Sequence, residues 1–200
     1  MEHRLPVLMG RRLLLREPTP ADGEPLFTLT TDPLITRYLA FDSPRSIDET
    51  LQFIKRCEDY RRQDREYVFV IADRTSDAPR GVIALRQLDP PARTAQIGTW
   101  VGRSDWGQGV NAEAKALLLD YAFDALELHR VEARIAIDNQ RSRRAFERIG
   151  GRREGTLKES FHKDGRFHDQ ALYAILAPGW RQRGGGAAIL AALPENGPHV

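Results

Sequence analysis

The chain has 200 residues, enough for one ordinary domain whose core needs no covalent staples. Hydrophobic residues make up 41% and charged residues 29%, and no long apolar run offers a membrane span, so a soluble globular protein without a membrane partner is expected. Thirty basic against 28 acidic residues leave a formal net charge of +2, far from a surface built to grip nucleic acid. The single cysteine, Cys57, excludes an internal disulfide and a cysteine-built zinc site. With no apolar leader at the start, a cytoplasmic protein is expected.

Residues 11–17 carry Leu13, Leu14 and Leu15 and end at Pro18, which predicts a short first strand. A helix is expected over residues 21–30. Ser46 and Glu49 form a capping box, and Ile47, Leu51, Ile54, Cys57 and Tyr60 recur at helical spacing behind it. Cys57 then falls on the apolar face of this second helix, where it reads as a small buried hydrophobe rather than a nucleophile. Residues 67–72 and 81–85 are apolar runs joined by turn formers, a predicted antiparallel hairpin, and residues 94–101 follow as a strand.

From Val110 a wide apolar stripe of Ala114, Leu117, Leu118, Tyr121, Ala122 and Ala125 predicts the long central helix. Val131, Ala133, Ile135 and Ile137 alternate with polar residues, the period of a strand. Asn139 is a helix cap, and Ser142, Ala145, Phe146 and Ile149 make one face of a helix that stops at Gly150 and Gly151. Residues 153–161 and 167–176 fit two last strands joined through Asp164 and Gly165, a hairpin signal. One domain is expected over residues 1–180. Residues 181–200, opening on an Arg and Gly run, read as a flexible C-terminal tail. The order of elements predicts a mixed sheet with helices on both faces, an α/β (α+β) domain.

The segment that carries chemistry is Trp106, Gly107, Gln108, Gly109, Val110, Asn111, Ala112, Glu113 and Ala114, between a strand and the start of the longest helix. Glycines let backbone N–H groups crowd around one point, and the helix start adds partial positive charge, so the turn suits a phosphate or pyrophosphate. A Walker lysine and the third glycine of a dinucleotide fingerprint are both missing, which argues against nucleoside triphosphate hydrolysis and against a Rossmann domain. Arg141, Arg143, Arg144, Arg148, Arg152 and Arg153 form a basic stretch nearby, read either as a solvated face or as a partner for a polyanion.

The loop resembles the acetyl-coenzyme A motif of the GNAT superfamily, and most closely its RimJ/RimL-type branch, where Trp-Gly-x-Gly runs into a Glu-Ala pair as Trp106 to Gly109 and Glu113 with Ala114 do here. A second likeness is Asn139, Ser142, Phe146, Glu147, Arg148, Ile149 and Gly150, similar to the family's Asn-x-x-Ser segment with its aromatic-Glu-basic-aliphatic-Gly ending. The resemblance implies a GNAT fold of about seven mostly antiparallel strands flanked by about four helices. It implies acetyl transfer from acetyl-coenzyme A to a primary amine by direct attack, without a metal and without an acyl-enzyme. Gln108, Gly109, Val110, Asn111 and Ala112 would cradle the pyrophosphate, with Arg144 beside it. Trp100 or Val101 would offer a backbone N–H to the carbonyl oxygen where the strand splays, and Asn139 would hold the pantetheine amides.

Phe146 stands where many relatives carry an acidic tyrosine, so the resemblance implies another proton donor, Ser142. The base is sought at Glu159, with His162, Asp169 and Glu113 as other candidates. The acceptor implied is a protein N-terminal amine; a small-molecule amine stays open, and so does a homodimer. A non-catalytic acyl-coenzyme A sensor and a nucleic-acid module on the arginine stretch are the competing readings.

Overall fold

The computed structural model describes residues 4–194, and they fold around one eight-stranded sheet. In chain order the elements are β1 (Leu8–Met9), β2 (Leu13–Arg16), α1 (Gly23–Thr30), α2 (Pro33–Thr36), α3 (Ile47–Arg62), β3 (Tyr67–Asp73), β4 (Pro79–Asp89) and β5 (Thr94–Val101). There follow α4 (Val110–Asp120), β6 (Arg130–Ala136), α5 (Gln140–Arg148), β7 (Arg152–Lys163), β8 (Arg166–Leu176), α6 (Ala177–Gln182) and α7 (Gly185–Ala192). The strands lie in the order β1-β2-β3-β4-β5-β6-β8-β7, all pairs antiparallel except β5 with β6.

Alternation along β3 explains the two layers. Tyr67, Phe69 and Ile71 point into the larger core under α4, whereas Val68, Val70 and Ala72 point into a smaller one with Leu26 of α1 and Cys57 of α3. A strand buried on both faces must be apolar where it is enclosed, as this one is from Tyr67 to Ala72, with Asp73 only half-buried at its end. Burial pushes the Cys57 thiol up to about 12, so it is protonated at any physiological pH.

The Ser46 cap is present in an altered form. Its hydroxyl accepts from Glu49 N at 3.4 Å, but the Glu49 carboxylate reaches back one residue further, to Arg45 N at 2.9 Å. Most other element limits lie within two residues of those expected and β5 has the limits predicted, but β4 runs from Pro79 to Asp89 where residues 81–85 were expected, and α4 gives way at Tyr121 to a π-helical turn that ends at Ala125. The two-residue β1 and the single turn of α2 were not anticipated.

The sheet opens between β5 and β6. Thr94, Ala95 and Gln96 pair with Arg130, Val131 and Glu132, and beyond Gln96 the two strands diverge. A wedge-shaped gap results, with residues 97–101 on one wall and the end of β6 leading to α5 on the other.

The expectation of a flexible tail needs correction for residues 181–192. Arg181 lies in α6 and its guanidinium donates to Phe123 O at 2.6 Å, and α7 is a helix laid against α4. The glycines there are structural: Gly184 and Gly185 take φ of +88° and +60° to turn the chain, and a Cβ on Gly186 would sit 2.2 Å from Asp120 Oδ2. Residues 195–200 of the expected tail lie outside the described residues.

Candidate active site

The gap between β5 and β6 continues into a cleft of about 620 Å³. Its walls come from β5, the turn before α4 with the first residues of α4, one face of α5 from end to end, α2 and the segment around Leu193. Of the expected site residues, Trp100, Val101, Gly109, Asn111, Ala112, Asn139, Ser142 and Arg144 line it.

The turn before α4 is built as its glycines suggest. Gly107 and Gly109 adopt φ of +81° and +80°, a left-handed backbone that an L side chain resists by about 1–2 kcal/mol. The first intrahelical bond runs from Glu113 N to Gly109 O at 2.9 Å, so the N–H groups of Val110, Asn111 and Ala112 start the helix without helical acceptors. Together with the aligned peptide dipoles they make a site for an anion.

A buried charge pair holds this turn from behind. Glu113 is 1% exposed, and its carboxylate accepts from Arg12 N at 2.8 Å, Leu13 N at 3.2 Å and Arg12 Nε at 3.2 Å. Arg12 Nη2 in turn donates to Gln108 O at 2.9 Å. Glu113, a candidate base from sequence, is therefore committed to tying the β1–β2 turn to α4.

Backbone alternation in β5 separates the two candidate donors, Trp100 and Val101. Gly102 N donates to Arg80 O at 2.8 Å, and Val101 lies opposite Gly81, so Val101 occupies the position of the ladder whose amide faces away from β4. The Trp106 indole donates to Val101 O at 3.1 Å, which agrees with that orientation. Val101 thus presents its backbone to the gap, and Trp100 presents its own to β4.

On the facing wall, Asn139 caps α5, its Oδ1 accepting from Ser142 N at 3.1 Å. The Ser142 hydroxyl makes no hydrogen bond among the described residues and borders the cleft. Arg141 reaches across, its guanidinium 3.1 Å from the centroid of the Trp106 ring. Burial there lowers the pKa of Arg141 from its ordinary value, with a smaller opposing influence from Tyr38.

Three expected site residues are placed differently. Gln108 is spent on the shape of the turn: its N–H donates to Asp105 O at 3.3 Å and its side chain to Ser104 O. Val110 is 3% exposed and packs its side chain into the core, so only its backbone faces the turn. Glu159 is exposed on an irregular stretch of β7, between Leu157 and Phe161, with φ of +49° and its N–H donating to Asp169 Oδ1. It does not line the cleft. Asp169 pairs with Lys158 at 2.8 Å, and the exposed His162 stacks on Phe167.

Phe146 also lies outside the cleft, fully buried against Tyr173 and Gly151. Beside it Lys115 is 5% exposed, with Nζ 5.3 Å from the Phe146 ring centroid, and burial pushes its ammonium down to about 8.

The residues present fit acetyl-coenzyme A. Thr99 Oγ1 and Asn111 Oδ1 are buried polar atoms of cleft-lining residues, and neither has a hydrogen-bond partner among the described residues. Such atoms cost roughly 1–3 kcal/mol each unless a ligand satisfies them. One stands on the gap wall where amide groups of a pantetheine arm would run, the other at the anion turn. Among the described residues no cluster of His, Cys, Asp or Glu could hold a metal ion, and no helix is long and apolar enough to cross a membrane.

Comparison with known proteins agrees with this geometry. Residues 12–152 match the model of the Acetyltransferase (GNAT) domain, a match that ends before β8, α6 and α7. The chain is 30% identical over 131 residues to the ribosomal-protein-serine acetyltransferase of Escherichia coli (strain K12), covering 62% of this chain and 73% of that protein. It is 25% identical over 168 residues to the spermidine N(1)-acetyltransferase of Vibrio cholerae serotype O1, covering 84% and 95%. The crystal structure of a GCN5-related N-acetyltransferase from Brucella melitensis superposes with a TM-score of 0.80 at 25% identity, covering 90% of this chain and 83% of that one. The chain belongs to the GNAT family and is an acetyl-coenzyme A-dependent N-acetyltransferase.

Proposed function

We propose that the acceptor is the α-amine of a protein or peptide. The carrying observation is the make-up of the cleft: among its described lining residues the one carboxylate is Asp105, which is 5% exposed and bound to Arg80 at 2.6 Å, and there is no histidine. An acceptor that needs a strong base is poorly served by such walls. An α-amine with pKa near ~7.7 is neutral in roughly one molecule of six at pH 7, against about one in 2,500 for a lysine-like amine near ~10.4. A polycation such as spermidine would also want free carboxylates, whereas the charged side chains available here are Arg141, Arg144 and Arg148.

The coenzyme supplies an activated acetyl group as its thioester. Asn111, Ala112 and Gly109 hold the pyrophosphate at the start of α4, and Thr99 and Asn139 hold the arm along the gap. Arg144 faces the phosphates. The Val101 N–H meets the carbonyl oxygen as it gains negative charge, a contribution that costs no reorganisation because the strand already aims it. The neutral amine attacks the carbonyl carbon, the carbon–sulfur bond breaks, and the Ser142 hydroxyl gives its proton to the departing sulfur. The proton released by the new amide's nitrogen leaves through water, and Ser142 regains one the same way. Leu34, Ile35, Tyr38 and Leu39 make the α2 side of the cleft apolar and suit an uncharged first side chain on the acceptor.

The test is turnover of acetyl-coenzyme A at pH 7 with three acceptors: a peptide with a free N-terminus and no lysine, an N-blocked lysine peptide, and spermidine. The free N-terminus should lead the lysine peptide by about 400-fold in kcat/KM, on the neutral fractions above. Spermidine or lysine as the better acceptor overturns the reading. Ser142→Ala should lower kcat by about 100-fold while the KM for acetyl-coenzyme A stays near that of the parent.

A further inference from the structure

The chain beyond α6 reaches back to the cleft. Gly184 and Gly185 turn it with left-handed backbone, and Gly186 lies so close to α4 that a Cβ would meet Asp120 Oδ2 at 2.2 Å and Ala116 O at 3.0 Å. Asp120 Oδ1 accepts from Gly186 N at 2.9 Å and from the Trp180 indole at 2.8 Å, which pins the start of α7. At the other end Arg11 donates to Leu190 O at 2.8 Å. Between these anchors the path of α7 is set, and Ile189, Ala192, Leu193 and Pro194 come to line the same cleft as the anion turn. Leu193 stands directly over that turn: its Cδ2 is 3.0 Å from where a Cβ on Gly109 would be.

We propose that α7 with Leu193 and Pro194 is a cofactor-binding element, an apolar wall against the nucleotide half of acetyl-coenzyme A. The position of Leu193 beside Gly109 assigns the wall to the nucleotide half, because Gly109 begins the helix whose free N–H groups take the pyrophosphate. Four apolar residues there displace water from the turn, and N–H to phosphate bonds gain strength as the local dielectric falls. They also offer a flat apolar surface to an adenine ring. The wall is independent of the acceptor and rests only on the coenzyme lying in this cleft.

Two variants attack the wall from different sides. Leu193→Asp changes its inner surface with little threat to the fold, since Leu193 is only half-buried and follows the last described helix. Gly186→Val leaves the lining residues chemically unchanged and pushes α7, with Ile189 and Ala192, away from Asp120. Calorimetry with coenzyme A should give a Kd about tenfold weaker for each. The ratio of kcat/KM for acetyl-coenzyme A to that for S-acetylpantetheine, which lacks the nucleotide, should fall by the same factor. An unchanged Kd for Leu193→Asp at the parental melting temperature overturns the proposal, and so does tighter binding, which would make Leu193 a plug. If Gly186→Val unfolds, Leu193→Asp alone decides. Failure of the unaltered protein to bind coenzyme A would instead remove the cofactor assignment itself.

Discussion

Behind the anion turn, Glu113 is enclosed by protein and satisfies two backbone N–H groups and a guanidinium; on the α2 side of the cleft, Lys163 of the β7–β8 hairpin reaches Phe41 O at 3.0 Å and pairs with the carboxylate of exposed Asp42. The first tie cannot be lost without leaving buried donors stranded. The second contributes less, because its carboxylate, on Asp42, is 88% exposed and screened by water. The anion turn is thus fixed by the fold, whereas the α2 side is held by contacts of a weaker kind.

The largest effect should come from Glu113→Ala. It leaves Arg12 N and Leu13 N without acceptors and Arg12 without its partner, a loss of about 3–5 kcal/mol by urea unfolding. A loss comparable to that of an ordinary surface change would erase the contrast between the two sides.

Next is Lys115→Met, which sharpens the contrast because Lys115 is the costly group on the rigid side. Its folded pKa lies near 8 against the ordinary lysine value of 10.5, so below pH 8 the folded protein carries a buried charge at its full cost. Between those values the unfolded chain binds more protons than the folded one, and stability of the parent rises with pH. The methionine variant should therefore be more stable at pH 7, by up to about 3 kcal/mol, with its advantage shrinking toward pH 10. An advantage that stays constant over this range would show that Lys115 does not titrate as a buried amine.

The smallest effect is expected for Asp42→Asn. Its urea midpoint should match that of the parent, while the KM for the acceptor shifts and that for acetyl-coenzyme A does not. A clear drop in stability would mean that the acceptor side is built as firmly as the other.

The elements that sequence made legible are those whose signals are local. Residues 94–101 alternate and stop at a glycine, Ser46 and Asn139 begin helices with their own side chains, and β3 is apolar from Tyr67 to Ala72. The anion turn was legible for the same reason, since its two left-handed glycines and helix start are adjacent in the chain. What stayed hidden depends on distant partners. Gly184, Gly185 and Gly186 look like a linker until Asp120, 66 residues before Gly186, shows that close approach requires them. Glu159 follows an irregularity in β7, beyond which counting residues no longer tells which face a side chain takes. Thr99 and Tyr38 belong to no motif and join the site only because β5 and the loop after α2 meet across the gap.

The divergence of β5 from β6 has a mechanical consequence. Two plates, β1 to β5 and β6 to β8, share a short parallel seam at Thr94, Ala95 and Gln96, so the strand pairs that join them lie at one end of the slot only. A ligand lying in that slot would therefore touch both plates at once, β5 along one wall and α5 along the other.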